Sequence, residues 1–335
     1  MIVLNWNGAS CIELCLQSLE AQTYRDFEVL VVDNASTDGS RERLQADWAT
    51  RVSLVLLDRN WGYCGGNNRG IHRARGALIA LLNNDTEGDP GWLAALASAA
   101  RRHPEAGMFA SRVYSATERT RIDSAGLLLY PDGVCRSRGR LETDIGQYDR
   151  EEEVLGPNGA AAAYRRTMLE ETGLFDERYF AYLEDLDLAM RGWLLGHSCI
   201  YVPDAIVYHV RSLSFGNHSK LKAFLVERNR LWNLLKLFPL RLVLVSPAFT
   251  AYRYLLQAFA AFTNRGLSGS FVRDHSWSEL IAVFLSALAA GLRGAPAMLR
   301  ERRRLRRRRR LSDREFRRRV ISRFKLPALE LALKL

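Results

Sequence analysis

The sequence predicts an α/β fold built on a mostly parallel sheet flanked by helices, followed by a helical C-terminal region. Three observations predict it. Strand-like and helix-like runs alternate over residues 1–113, and the first four apolar strands run into Asn or Asp. The charge also divides: residues 211–335 hold 27 Lys or Arg against 7 Asp or Glu (+20), and residues 1–210 hold 21 against 30 (−9).

Ile2–Asn5 is a short apolar strand running straight into the turn Trp6-Asn7-Gly8. This start lacks the basic n-region and long apolar h-region of a signal peptide. Residues 10–21 carry Ile12, Cys15, Leu16 and Leu19 at helical spacing. Phe27–Val32 is a continuous apolar run, the pattern of a parallel strand buried on both faces. The segment from Asp33 to Ser40 ends it and opens a helix at Ser36 or Thr37, because short hydroxyl side chains cap helix N-termini. Val52–Leu57 is the next strand. A Gly/Asn-rich stretch from Asn60 to Gly70 and a short helix lead to the strand Leu78–Leu82. Asp89-Pro90 opens another helix, proline suiting its first turn, and Met108–Val113 is a further strand. Repeated βα units stack a parallel sheet between helices. Ligands of such sheets sit at the carboxyl ends of the strands.

Residues 114–155 are less regular, with a hairpin expected around Tyr130-Pro-Asp-Gly133, a good turn sequence. Helices near Arg166–Thr172 and over residues 184–195, then short strands at Cys199–Val202 and Ile206–Tyr208, complete a domain expected to occupy residues 1–215. Residues 216–299 are expected to be membrane-associating: an amphipathic helix over Leu221–Phe238, then apolar runs at Leu242–Phe262 and Leu280–Leu292. A spanning helix needs about 20 mostly apolar residues. The first run contains Pro247, Arg253 and Gln257 and the second has 13 residues, so both read as helices lying in or dipping into the interface. Residues 300–335 are an Arg-rich tail with nine Arg between 300 and 310. Five dispersed cysteines without metal-ligand spacing suit a reducing compartment.

Four constellations stand where chemistry is possible. Asp33, after the apolar run, can accept from a ligand N–H or serve only as a turn or capping residue. Asn83-Asn84-Asp85 ends a strand in hard oxygen ligands suited to Mg²⁺ or Mn²⁺ against a diphosphate; a lone acid after a strand is also common. Glu184 and Asp185 stand among aromatics at a helix start. Apolar surroundings there can tune a carboxylate to act as general base; alternatively, the acids complement the helix dipole. His209 closes an apolar strand as a ligand or as a structural histidine.

In order along the chain stand VLNWNG (3–8), VVDNASTDGS (31–40), NWGYCGGNNRG (60–70), LLNNDT (81–86), FDERYFAYLEDLDLAMR (175–191) and YVPDAIVYH (201–209). Together they resemble the inverting glycosyltransferases of family 2, which have the Rossmann-like GT-A fold. Within that family they resemble the rhamnosyltransferase-type branch acting on lipid-linked glycans. The resemblance covers nearly all of residues 1–215. It implies that Leu4 and Trp6 line a base pocket, that Asp33 binds a pyrimidine base, and that Asn67 lies at the donor phosphates, where many relatives carry a basic residue. It implies that Asn83-Asn84-Asp85 occupies the place of an Asp-x-Asp metal motif, with the neutral Asn83 replacing the first acid. Asp85 and His209 would then be ligands of Mn²⁺ or Mg²⁺, and Asp185, in the pair with Glu184, the catalytic base. The implied donor is a nucleoside-diphosphate sugar, dTDP-rhamnose first and a UDP-sugar second. The implied acceptor is a lipid-linked glycan of the cell envelope.

The basic C-terminal region points to an anionic partner. Its arginines are not interleaved with stacking aromatics and its neighbouring helices are apolar, so a membrane surface is expected and nucleic acid is not. The expected location is peripheral or monotopic, on the cytoplasmic face of the inner or plasma membrane. A dehydrogenase would need G-x-G-x-x-G at the first βα turn, where this chain has Asn5-Trp-Asn-Gly-Ala-Ser. The competing classes are a catalytically inactive membrane scaffold and a basic nucleic-acid-binding protein.

Overall fold

The computed structural model describes residues 1–210, 219–262, 276–328 and 330. They form two compact units: residues 1–127, 137–192 and 197–210 make the first, and residues 128–136, 193–196 and the described residues from 219 onward make the second. The boundary expected at 215/216 lies outside the described residues. The one expected at 299/300 falls inside the helix Trp277–Arg308.

The strands, in chain order, are β1 (Ile2–Asn5), β2 (Leu30–Asp33), β3 (Ser53–Leu56), β4 (Leu78–Asn83), β5 (Thr86–Gly88), β6 (Ala106–Ser115), β7 (Ile122–Ser124), β8 (Leu127–Leu129), β9 (Cys135–Ser137), β10 (Glu152–Val154), β11 (Ala161–Arg165) and β12 (Ser198–His209). Among the described residues, ten of them form one sheet in the order β10-β12-β6-β11-β4-β1-β2-β3, with β5 on β12 and β7 on β6. The strands β1 to β4 pair in parallel, as the βα pattern predicts. β11 runs antiparallel to both its neighbours, so the sheet is mixed. β8 and β9 pair around Pro131-Asp-Gly133, where Gly133 takes φ 90°. The expected two short strands after residue 198 are one, β12, with a register shift between Val202 and Ile206. Pro203, which cannot donate to a ladder, falls inside that irregularity.

The helices of this unit are α1 (Ile12–Glu20), α2 (Ser40–Arg43), α3 (Gly62–Arg73), α4 (Trp92–Arg102), α5 (Arg166–Thr172) and α6 (Glu184–Leu194). α2 starts at Ser40 rather than at Ser36 or Thr37. Ala35 (φ 61°) and Gly39 (φ 86°) turn the chain first, and the Ser36 hydroxyl accepts from Asn5 Nδ2 and the Asn7 N–H. The Gly/Asn-rich stretch, expected to precede a helix, is itself α3. Its glycines let it approach β1: a Cβ on Gly66 would sit 2.4 Å from Leu4 Cδ1, and one on Gly70 2.7 Å from Ile2 Cγ2. One core cluster gathers Val3, Leu16, Val31, Leu82, Trp92 and Phe109.

The second unit contains α7 (Lys220–Leu237), α8 (Leu240–Phe262) and the helix Trp277–Arg308. Trp232 Nε1 donates to Gly291 O at 3.1 Å. The 280–292 run is the first part of this longer helix, which continues because arginine is a good helix former. Among the described residues, its Ser278–Arg308 portion is long and apolar enough, by length and composition, to cross a membrane. The Arg-rich segment is partly folded: Arg302 Nη1 donates to Leu235 O and Phe238 O at the end of α7, and Leu305, Leu311, Phe316 and Phe324 are buried.

From Glu227 onward, α7 buries polar residues as well as apolar ones. Arg253 on α8 grips Glu227 in a bidentate pair at 2.9 and 3.1 Å and reaches Asp132 Oδ2 at 2.7 Å. Arg230 Nε donates to Glu227 at 3.0 Å. Burial opposes ionisation of Glu227, yet Arg253 and Arg230 hold its carboxyl down to about 2. Removing one partner of such a network leaves buried charge uncompensated. Glu227→Ala is therefore expected to destabilise the second unit by about 3–5 kcal/mol, read as a lowered unfolding midpoint in denaturant.

Candidate active site

β1 and β2 end side by side at Asn5 and Asp33. The Asn5 Nδ2 lies 2.9 Å from Asp33 Oδ1, 3.0 Å from Ser40 Oγ and 3.2 Å from Ser36 Oγ. Its Oδ1 accepts from Asn84 Nδ2 at 2.9 Å, which brings the end of β4 to the same edge. Asp33 is sealed from solvent. Its Oδ2 accepts the Ser36 N–H at 3.2 Å, with Arg41 Nε 3.0 Å away. Leu4 and Trp6 are half-buried. Asn34 ties this edge to the start of α3: its Nδ2 donates to Asn60 Oδ1 and Gly62 O, and its Oδ1 accepts the Trp61 N–H at 2.9 Å. Asn67 is buried and its Nδ2 donates back to Tyr63 O at 3.0 Å.

The strand register delivers a second group. β5 pairs antiparallel with the end of β12, setting His209 opposite Thr86, while β7 pairs with β6 beside it. Asp85, His209 and Asp123 therefore meet. His209 Nδ1 lies 2.8 Å from Asp123 Oδ2, and its Nε2 lies 3.3 Å from Asp85 Oδ1. Asp85 Oδ1 is buried and makes no aligned hydrogen bond, although it is within ion-pair distance of His209. Burial opposes charge on His209, but the hydrogen bond to Asp123 and the proximity of Asp85 outweigh it and lift the imidazole to about 9. The Asp85 oxygen is thus matched by the imidazolium; a divalent cation would replace the Nε2 proton and take both groups as ligands, with the other ring nitrogen oriented by Asp123. Among the described residues no three His, Cys, Asp or Glu side chains converge as ligands, so further ligands would come from outside the protein, as is usual for ions shared with phosphates. Asp123 belongs to none of the six sequence motifs, and no spacing or periodicity marks it.

The third group opens α6. Phe180, Tyr182 and Leu183 all have φ between 64° and 67°, conformations that cost a non-glycine residue of order 1–3 kcal/mol. Phe180 O accepts the Cys64 N–H at 3.1 Å, and a Cβ on Gly62 (φ 69°) would sit 2.5 Å from that oxygen. Glu184, Asp185 and Asp187 follow. Asp187 is paired with Arg191 at 2.8 Å. Glu184 is buried with Oε2 unpartnered, and burial, then the neighbouring Asp185, pushes its carboxyl well above the usual range. Asp185 is half-buried. Burial raises it to about 6, against the N–H groups of Leu186 and Gly159 that favour its anion. The chain beyond Gly159 leads to Ala160, whose carbonyl accepts the Asn83 N–H at 2.9 Å, and a Cβ at Gly159 would lie 3.7 Å from Glu184 Oε1, so the start of α6 lies by the carboxyl edge of β4 too.

A polar edge at the carboxyl ends of β1, β2 and β4, the pair Asp85 and His209 joined through β5 and β12, and a raised carboxyl at the start of α6 thus lie on the side of the sheet where ligands of such sheets bind. An L-rhamnosyltransferase of Mycobacterium tuberculosis, named for N-acetylglucosaminyl-diphospho-decaprenol, is 28% identical over 266 residues, covering 69% of this chain and 85% of that protein. The O-antigen biosynthesis protein RfbC of Myxococcus xanthus is 33% identical over 185 residues, 52% of this chain and 14% of that protein. In fold, TarS 1-349 of S. aureus superposes with a TM-score of 0.53 at 17% identity, over 96% of this chain and 89% of that one. GalNAc-T7, solved with UDP, GalNAc and Mn²⁺, does so with a TM-score of 0.57 at 17% identity, over 69% of this chain and 46% of that one. The model of the family "Glycosyl transferase family 2" matches residues 1–173, more than half of the chain, and with this GT-A architecture the chain belongs to glycosyltransferase family 2.

Proposed function

We propose that this enzyme is an inverting glycosyltransferase that moves a sugar, rhamnose first, from a nucleoside diphosphate to a lipid-linked glycan at the cytoplasmic face of a membrane. The observation that carries the reading is Asp185: a carboxyl raised to about 6, half-buried at the start of α6, with the Leu186 N–H donating to its Oδ1 at 2.7 Å. The relative named for a decaprenyl-diphosphate acceptor and L-rhamnose supports the substrate classes. In this reading the base lies over Leu4 and Trp6 with Asp33 behind, and the diphosphate runs past Asn83 and Asn84 toward α3 and Asn67. Asp85 and His209 would hold a divalent cation, Mn²⁺ or Mg²⁺, which when bound neutralises charge on the leaving diphosphate. Asp185 takes the proton of the acceptor hydroxyl as that oxygen bonds to C1. The C1–O bond to the nucleoside diphosphate breaks, and the leaving group departs with the electron pair. One displacement with one base inverts C1, unlike the two-carboxylate hydrolysis of glycosides. Glu184, uncharged beside it, keeps a second negative charge away from the base.

The proposed domain arrangement is a catalytic domain through about residue 215 and a membrane-associating remainder. On the helix Trp277–Arg308, Ile281, Leu285, Leu288 and Leu292 are exposed at spacings that put them on one face. On α8, Leu244, Tyr252, Leu255 and Phe259 are exposed. The arginines that follow would meet anionic headgroups, at about 1 kcal/mol each near the surface.

Three measurements test these proposals. Calorimetry with a panel of nucleotide sugars should show one pyrimidine-diphosphate sugar binding with Mn²⁺ or Mg²⁺ and weakening with chelator or in Asp85→Ala; affinity indifferent to both would remove the metal assignment, and no donor binding at all would favour the scaffold reading. With donor in hand, kcat should fall below pH about 6 as Asp185 takes up its proton, and Asp185→Asn should lose at least about 10²-fold in kcat while still binding donor. The full chain should sediment with vesicles containing phosphatidylglycerol and much less with phosphatidylcholine alone; equal partition would discard the role of the arginines.

A further inference from the structure

We propose that Phe180 is a positioning residue for Asp185: its backbone carbonyl caps α3, and that cap fixes where the chain enters α6. The start of α3 needs a partner from elsewhere. Trp61 stands at its N-cap, and an indole, which only donates, offers nothing to the N–H groups of the first turn. Asn60 Oδ1 takes the Gly62 N–H at 2.8 Å. The Cys64 N–H, which a capping side chain would ordinarily take, donates instead to Phe180 O at 3.1 Å. That carbonyl reaches α3 through an unfavourable turn. Phe180 has φ 66° and ψ −64°, and the Ala181 N–H donates to Tyr179 O at 2.8 Å; together these make a γ-turn of the rare, strained hand. Strain of this kind persists only where the surroundings impose it. Here Cys64 holds the carbonyl, and Gly62 lets it come close, since a Cβ there would lie 2.5 Å from Phe180 O and 2.6 Å from its Cδ2. The chain on either side has little slack. Upstream, Asn68 holds both the N–H and the carbonyl of Phe175, at 3.1 and 2.9 Å. Downstream, Tyr182 and Leu183 are left-handed too, and Leu183 O accepts the Asp187 N–H at 3.0 Å, the bond that opens α6. Asp185 lies inside that first turn. A cap supplied by residue 61 itself would leave the two helices independent; one borrowed from Phe180 ties the start of α3 to the start of α6. The inference rests on the reading of Asp185 as the base for its meaning in catalysis, but not for its structural test.

The test is amide hydrogen exchange, resolved residue by residue in the full chain, together with kinetics on the donor that calorimetry identifies. Gly62→Ala sets a methyl group against Phe180 O. The Cys64 and Asp187 amides should then both exchange faster, by roughly tenfold each. In the same variant kcat should fall by about 10²-fold, while KM for the donor rises far less. A disturbance confined to α3 would speed exchange at Cys64 alone, and that result overturns the proposal. Faster exchange at both amides with kcat unchanged overturns it as well. Should the alanine variant not fold, Phe180→Gly removes the ring and the strain together and leaves the turn free to open; Asp187 exchange and kcat should respond in the same directions, and no response at Asp187 overturns the proposal. If Asp185→Asn retains transfer, the base reading falls, while the tie between Phe180 and α6 is still decided by the exchange.

Discussion

The buried carboxamide of Asn5 sets the geometry on which the site depends. Parallel strands end in unpaired backbone groups, and nothing in the ladder itself fixes how far each chain runs before it turns. Asn5 donates to Asp33 at the end of β2 and to the hydroxyls of Ser36 and Ser40 in the turn beyond it, and it accepts from Asn84 after β4. One side chain therefore sets where three segments leave the sheet. A carboxylate as buried as Asp33 is tolerable only because its oxygens are engaged, and Asn5 is one of their partners. Gly8 belongs to the same arrangement, since a Cβ there would lie 2.2 Å from Asn84 Nδ2 and 2.3 Å from Asn5 Oδ1.

Against this stiff edge stands the strained segment before α6. Phe180, Tyr182 and Leu183 adopt left-handed backbone without being glycine. The segment is held at both ends: Asn68 Nδ2 donates to Phe175 O and to Glu177 Oε1, and the Asp187 N–H donates to Leu183 O at 3.0 Å. Gly62 and Cys64 contact Phe180 from α3. The donor-side helix thus constrains the approach to Asp185 through backbone contacts, so a change in the Gly62 region would be felt at the base without touching it.

Much of this was legible in the sequence. The run Phe27–Val32 is apolar throughout because β2 is covered on both faces, and Pro131-Asp-Gly133 could do little but turn. α5 and the start of α6 follow their apolar spacing. α3 was not legible as a helix: its glycines argue against one by propensity, and only the close approach to Ile2 and Leu4 explains them. The reversal of β11 has no signal either, because Ala161-Ala162-Ala163 carries no alternation. At the site, the carboxyls and His209 stand out as residues at strand and helix ends. Their meeting does not, since Asp85 and His209 are brought together by the β5–β12 pairing and Asp123 by β7, in a stretch without motif. The Arg-rich segment read as a tail because charge hides helicity; its buried Leu305 and Leu311 are too few to show a pattern.

The first turn of α6 shows how neighbours rather than residue type assign roles. Three acids follow one another within four positions, all near the favourable end of a helix dipole. Asp187 faces Arg191 and is matched by a full charge. Glu184 is turned into a space that offers Oε2 no donor, so the neutral acid is the state burial prefers. Asp185 receives the Leu186 N–H at 2.7 Å and stays partly accessible. Two carboxylates this close would repel if both ionised. Because Glu184 gives up its charge first, Asp185 can carry the pair's single negative charge at neutral pH. A carboxylate that is charged, near its own midpoint and open on one side can take a proton from an alcohol that approaches it. Neither neighbour meets all three conditions.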